Sequence, residues 1–581
     1  MYLKKSYYKN SGRTYLVLSQ KYHDPKTGVS RERTVKSLGY LDELEKTYDD
    51  PIAYFKEEAR RMTEEEKQNK FVSVQIDMNE NLPEDVRGTM NLGYAVPLKV
   101  YHELGIDSFL KNKARGCDFQ FNTNSIMILL VISRLLSPGS KKKAFEEKDR
   151  YFERFHFSLD DIYRSLSHFD KVSEDLQRFL HESVCMKYGS DTSVIYYDVT
   201  NYYFEISKPD ELRKYGKPKQ NRKKPVVQMG LAMDKDGIPL HYELFPGNKL
   251  DKETFRSVIG QVRKNYDTGR VIVVADMGII TGDNIYYLVG NKPEKPLNGY
   301  VFSFSIRGGT KAFQEYVLDE AGYTDKMGDL PTDDTNFKLK SRVTYRDINV
   351  TMTNGKTKTK TVYEKQVVFW SRKYFLKARA ERNEVLAKAK ALIADPKKFN
   401  KATSYGAATY VNNLEFDKQT GEILDKGKCL SLNTAKIAEE EKYDGYYAIV
   451  TSELHMPVYK IVETYRGLWE IEETFKLTKS DLEARPVYVR DHDHIDAHFL
   501  TCFIALTILR LIQKKIGKKY SAATIIDCLN KIECINEYEN IYLFGYRSEI
   551  SDTLGNAFGL DFAKKRLRLK EIKKILGDVK K

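Results

Sequence analysis

Cysteine is scarce in this chain. Six residues in 581 (Cys117, Cys185, Cys429, Cys502, Cys528 and Cys534) show no C-x2-C pairing. That argues against a disulfide framework or a zinc-finger site and fits a reducing compartment. No signal-peptide pattern opens the sequence, so a cytoplasmic location is expected. The longest apolar runs, near 126–132 and 499–509, are too short to span a bilayer and read as core helices, with no membrane partner expected. Gly308-Gly309 lacks the Walker pattern, so there is no P-loop, and no Ser-His-Asp arrangement stands out. His494 and His498 are spaced as in zinc-protease helices, but Ile495 stands where the general-base glutamate belongs, and a zinc site is not expected. No internal repeat is evident.

What the chain does have is basic charge and length. Lys plus Arg exceed Asp plus Glu by 14, and 41% of residues are hydrophobic. The length suits roughly three or four domains, and the charge favours a polyanionic partner. The excess is concentrated. Residues 564–581 hold nine basic and two acidic side chains, and residues 208–224 hold eight and two. Such runs are either solvated faces or nucleic-acid contacts.

The pattern divides the chain. GRTYLVLSQKY and VSRERTVKSLG flank a DPKTG turn and predict a hairpin over 12–38; residues 1–90 read as this hairpin plus a linker. Residues 91–190 are helical by periodicity, with a basic loop at Lys141-Lys142-Lys143 after Pro138-Gly139-Ser140, and read as a DNA-binding or dimerisation domain. From 191 the order becomes β-β-β-α-β-α-β, the grammar of an α/β mixed sheet flanked by helices. Residues 191–308 and 441–515 read as the two parts of that core. Residues 309–440, with an Asn354-Gly355 turn, read as a β-rich insertion outside the core sheet. Residues 516–581 read as a basic helical tail.

Three carboxylates stand out. Asp198 lies inside the apolar run VIYYDVT, where a charge is costly unless paired or metal-bound; the alternative is a strand end facing solvent. Asp276 follows VIVVA at the carboxyl end of a strand, where ligands of such sheets gather; the alternative is a helix N-cap. Glu472 lies on a helix on which Tyr465, Glu472 and Lys479, seven apart, stack along one side; the alternative is a solvated face. Three oxygen ligands without organised His or Cys favour Mg²⁺ or Mn²⁺. Two such ions suit in-line phosphoryl displacement on nucleic acid. The basic residues Lys217, Lys219, Arg222, Lys223 and Lys224 fall in the loop after the Asp198 strand and are expected to line a DNA path.

These segments resemble the DDE transposases of bacterial insertion sequences, in the group with a Tyr-x2-Arg-x3-Glu-x6-Lys signature. The resemblance rests on YYDVTNYYFE (196–205), GKPKQNRKKPVVQMGLAMDKDGIPLHYELFPGN (216–248), VVADMG (273–278), DGYYAIVTS (444–452) and YRGLWEIEETFKLTKSDLEARPVYVRDHDHIDAH (465–498). It implies a ribonuclease-H-like core interrupted by the insertion. By position it implies Asp198, Asp276 and Glu472 as a metal-binding catalytic triad. Tyr465 and Lys479 would contact DNA phosphate, with Trp469 supporting the same helix. It also implies a nucleoid-associated protein that binds terminal inverted repeats and target DNA as a synaptic homodimer. The signature arginine falls on Leu468, and Arg466 lies about 200° around the helix from it. The rival readings are a catalytically silent DNA-binding descendant, a metal-dependent nuclease without strand transfer, and a carboxylate-pair glycosidase, against which the basic segments argue.

Overall fold

A computed structural model describes the chain apart from residues 10, 24–29, 69–80, 82–87, 207, 217–223, 267, 293–294, 328–329, 332–336, 353, 402, 405, 418–419 and 425–428. The chain divides into two compact units, Met1–Val86 and Arg87–Lys581.

In the first unit, strands β1 (Tyr2–Tyr8), β2 (Arg13–His23) and β3 (Ser30–Tyr40) form an antiparallel sheet in that order. The alternation in β2 turns Leu16 and Leu18 inward, where Phe55 and Ala59 of helix α1 (Pro51–Gln68) are also buried. The predicted hairpin is thus β2–β3. Strand β1 escaped sequence reading because an edge strand such as YLKKSYY buries too little to alternate.

The second unit begins with a short strand, Thr89–Asn91, and a helical layer. Helix α2 (Thr123–Leu136) is capped by the Asn122 side chain accepting from the Ser125 amide at 3.1 Å. The residues read as a basic loop open helix α3 (Lys141–Glu146), and Lys141 is buried.

The α/β order appears as read. Strands β4 (Val194–Tyr203), β5 (Val226–Met233) and β6 (Pro239–Pro246) form an antiparallel meander. Helix Asp251–Asn265 leads to β7 (Ile272–Ala275), and helix Gly282–Val289 leads to β8 (Gly299–Phe304). The β4–β7 and β7–β8 pairs are parallel. The next two strands, β9 (Phe337–Thr351) and β10 (Thr357–Ser371), form a long hairpin. Strand β11 (Tyr446–Thr451) then joins β10 to β8. The result is one eight-stranded mixed sheet, β9-β10-β11-β8-β7-β4-β5-β6.

This corrects the expectation of an insertion outside the core sheet. The hairpin of residues 337–371 extends that sheet at one edge. The sequence signalled a hairpin but not its partner, because strand pairing over some 80 residues leaves no local trace.

Each face of the sheet is covered over its central strands. One face packs Tyr196, Tyr202, Val274, Val301 and Ile449 against helices α4 (Val458–Arg466), α5 (Trp469–Ser480) and α6 (His492–Lys515). The opposite face packs Tyr197, Val273 and Phe302 against Phe255, Val258 and Ile259 of helix Asp251–Asn265. Helix α6 is long and apolar enough to cross a membrane by length and composition, but 94% of its apolar window is buried inside the protein.

The C-terminal region is not wholly helical, as had been expected. Strands β12 (Glu533–Tyr538), β13 (Ile541–Phe544) and β14 (Arg566–Arg568) join Thr89–Asn91 in a four-stranded sheet, followed by helix α7 (Leu569–Val579). The polar, glutamate-rich strand CINEYEN hides this hairpin from a hydrophobic-pattern reading.

Candidate active site

The parallel register brings two of the predicted carboxylates together. Tyr196 of β4 lies opposite Val274 of β7. Two residues further along both chains stand Asp198 and Asp276. Side chains two apart share a sheet face, so both aspartates lie on the face that carries Tyr196 and Val274, beneath helices α4 to α6. Asp198 is half-buried within β4, while Asp276 is exposed just past the end of β7. Asp276 Oδ1 accepts a hydrogen bond from Ser303 Oγ at 2.6 Å. Ser303 is buried on β8, one residue past the Ala275–Phe302 pair.

Helix α4 brings Tyr465 to this end of the sheet. Its hydroxyl lies 2.6 Å from that of Tyr447 on β11. Both phenols are pushed to higher pKa, chiefly by burial, with the nearby Asp276 charge adding to each. Tyr374, 44% exposed at the start of helix Arg372–Ala394, stacks on Tyr447 with centroids 5.7 Å apart. Ser303, Tyr447 and Tyr374 were not anticipated. The only sequence trace is that VFSFS and DGYYAIVTS place Ser303 and Tyr447 on the inward parity of strands next to Asp276.

Helices α4 and α5 are separated by Gly467 and Leu468, yet both residues keep right-handed helical angles. The backbone there turns through i to i+3 bonds, Leu468 N–H to the Tyr465 carbonyl at 3.0 Å and Ile471 N–H to the Leu468 carbonyl at 3.1 Å, so Tyr465 leads on to Glu472 and Lys479 along one nearly continuous helix. Gly467 allows the helix to lie on the sheet, since a Cβ there would come within 1.9 Å of the Tyr196 hydroxyl oxygen. Leu468 is 5% exposed and belongs to the core, so the side chain at the signature arginine position points into packing. Arg466 is exposed. At the far end of this helical run, Lys479 Nζ donates to Thr200 Oγ1, two residues beyond Asp198 on β4. Trp469 is 56% exposed, and Glu472 is exposed between the two ends of the run.

The run thus has one end near Asp276, through Tyr465, and the other beside Asp198, through Lys479. The donor set of Asp198, Asp276 and Glu472, all hard oxygens, fits a divalent cation such as Mg²⁺ or Mn²⁺. Among the described residues, however, no three His, Cys, Asp or Glu side chains are gathered closely enough to hold a metal ion.

The other candidates fall elsewhere. Lys217, Lys219, Arg222 and Lys223 lie outside the described residues. Lys224 is ion-paired with Glu205, its Nζ 5.7 Å from the centre of the Tyr203 ring. His498 is buried, with Nε2 3.1 Å from the Ala484 carbonyl and Nδ1 2.7 Å from Lys141 Nζ. It serves the packing of α6.

Comparison with known proteins gives two family matches. The IS1634 family transposase N-terminal domain matches residues 3–74, and the transposase DDE domain matches residues 321–508. Glu472 lies within the second match; Asp198 and Asp276 precede it. Among solved structures, a piggyBac transposase synaptic complex with hairpin DNA is similar at 8% identity, over 84% of this chain and 85% of that one, with a TM-score of 0.32. A Mos1 transposase paired-end complex with the left transposon end is similar at 14% identity, over 38% and 60%, with a TM-score of 0.11. At such scores neither likeness carries an argument. No curated protein matches the chain.

Proposed function

We propose, from the premise that its two family matches mark this chain as an insertion-sequence DDE transposase, that it cuts DNA at the element's terminal inverted repeats and joins the freed 3′-hydroxyl to target DNA. The eight-stranded sheet would be a ribonuclease-H-like core, with Asp198, Asp276 and Glu472 as the catalytic triad. The observation that supports this reading is the parallel pairing of β4 and β7 up to Tyr196 and Val274, after which Asp198 and Asp276 follow on the same face, with Lys479 bound to Thr200 beyond Asp198.

Asp198, Asp276 and Glu472 would hold the Mg²⁺ or Mn²⁺, and bound ions would supply Lewis-acid activation of a water or 3′-hydroxyl and stabilise the leaving oxygen. Ser303 fixes one oxygen of Asp276 and so its orientation. Tyr465 and Lys479 flank the aspartates and would hold DNA phosphate, a donor hydroxyl at one end and a cation at the other. Trp469 projects from the same helix beside them. Lys217, Lys219, Arg222, Lys223 and Lys224 would neutralise phosphates along the approach. Because the three carboxylates are not gathered closely enough to hold a metal ion, DNA or metal binding would have to draw them together before reaction. Duplex ends and target would be held by a homodimer in a synaptic complex, in the nucleoid of the cytoplasm.

That no three such side chains are gathered among the described residues also favours a second reading, a DNA-binding descendant without catalysis. One experiment decides between them. The purified chain is incubated with a duplex carrying its flanking inverted repeat, with Mg²⁺, with Mn²⁺ and with chelator. Strand cleavage that needs the metal and disappears in Asp276→Asn supports the transposase. Binding without cleavage under every condition supports the silent descendant.

A further inference from the structure

The C-terminal ridge formed by β14 and α7 sorts its side chains by charge. In β14, Leu567 is buried while Arg566 and Arg568 face out. In α7, Ile572, Leu576 and Val579 are buried. On the opposite side Lys570, Lys573 and Lys574 are exposed, and Lys581 follows beyond the helix end. At 100° per residue these four fall within about 60° of one line. Lys564 and Lys565 extend the exposed basic surface ahead of β14.

Part of this charge is neutralised within the fold. Arg566 pairs with Glu537, Lys564 with Asp561, Lys580 with Glu153 and Lys581 with Asp578. Lys565, Arg568, Lys570, Lys573 and Lys574 form no ion pair among the described residues. The acid of the first turn, Glu571, does not neutralise them. Its carboxylate accepts the Arg568 backbone N–H at 2.9 Å and caps the helix. The helix N-terminus, with its partial positive charge, adds to the same end. The ridge packs on helix Ala95–Glu103 and on the four-stranded sheet.

We propose that this ridge is a second duplex-DNA contact, separate from the candidate active site, which grips the phosphate backbone without reading sequence. The proposal rests on the reading that the chain acts on DNA. A helix of 11 residues spans about 16 Å, and duplex DNA presents one charge per about 1.7 Å of axis. A duplex segment of that length carries roughly nine phosphates on its two strands, and the ridge meets those on its own side with five cations that form no ion pair among the described residues. Four of the five are lysines, flexible point charges that suit backbone neutralisation and not bidentate base recognition. The ridge would lengthen the footprint beyond the DNA being cut.

The test uses the full chain and the variant with Lys565→Ala, Lys570→Ala, Lys573→Ala and Lys574→Ala. All four positions are exposed, and thermal melting checks that the fold is retained. Affinity for a long duplex of random sequence is measured across a salt series. The expected result is a log-affinity versus log-salt slope shallower by about 3.6, at about 0.9 per lost contact, with the same loss on an unrelated duplex. The quadruple Lys→Arg variant should keep the wild-type slope. A variant that binds DNA with the wild-type slope overturns the proposal. So does one that loses binding to phosphatidylserine vesicles while its DNA slope is unchanged, since the ridge would then serve a lipid surface. If the wild-type chain binds no duplex at all, the transposase reading fails and the ridge proposal fails with it. A steep wild-type slope unchanged in the variant removes the ridge alone.

Discussion

Ser303 donates a hydrogen bond to Asp276 at 2.6 Å from the adjacent parallel strand, and nearby the hydroxyls of Tyr447 and Tyr465 lie 2.6 Å apart. One small buried side chain thus holds a carboxylate just past a strand end, near the tyrosine pair that includes Tyr465 of helix α4. Ser303→Ala should free Asp276 to rotate. The bond ends on an exposed carboxylate, so about 1 kcal/mol of stability should be lost. Metal-dependent cleavage should fall in kcat, with KM for the DNA end little changed, while Asp276→Asn should fall to background. Cleavage by Ser303→Ala at the wild-type kcat would show that the serine orients nothing.

Gly467 is held at the sheet by lack of space. Alanine there would place a carbon 1.9 Å from the Tyr196 hydroxyl oxygen, and relieving that overlap should cost about 1–3 kcal/mol. Tyr196→Leu in the same chain should recover part of the loss, so the two substitutions should couple in a denaturant double-mutant cycle. Strict additivity would mean that the helix shifts freely away from β4.

Restoring the signature arginine should do harm. Leu468 is 5% exposed within the core, so Leu468→Arg puts a guanidinium into apolar packing, at a cost of roughly 3 kcal/mol. Urea unfolding should show the loss, and metal-dependent cleavage should not rise. A gain in cleavage would mean that this side chain can reach the DNA.

Lys141 sets a pH dependence. It is buried against His498 and near Arg134, and burial pushes its ammonium down to about 7. In the unfolded chain it titrates near the ordinary lysine value, about 10.4. Between these values the unfolded state holds more protons, so stability should rise with pH across that window, by up to about 1.4 kcal/mol per unit. Below about 7 the destabilisation is fully present and this contribution is flat. Lys141→Met should remove the slope and leave the protein at least as stable at neutral pH. Urea midpoints that do not change with pH in the wild-type would refute a buried, neutral Lys141.

The sequence alone determined the order of elements from Val194 to Phe304, because alternation and helical periodicity are local properties of neighbouring residues. It marked Asp198 and Asp276 for the same reason: a carboxylate within or just after an apolar strand run is anomalous wherever the strand ends up. It grouped Tyr465, Glu472 and Lys479 through helical periodicity, which is likewise local. Tertiary structure alone decided what these residues meet. The β4–β7 register placed the two aspartates side by side, and pairing over long sequence separations carried the hairpin Phe337–Ser371 into the main sheet. Packing buried Leu468 and Lys141, and brought Ser303 and Tyr447 to Asp276. Each depends on which surfaces are left over once other elements have packed, and no stretch of sequence contains that information by itself.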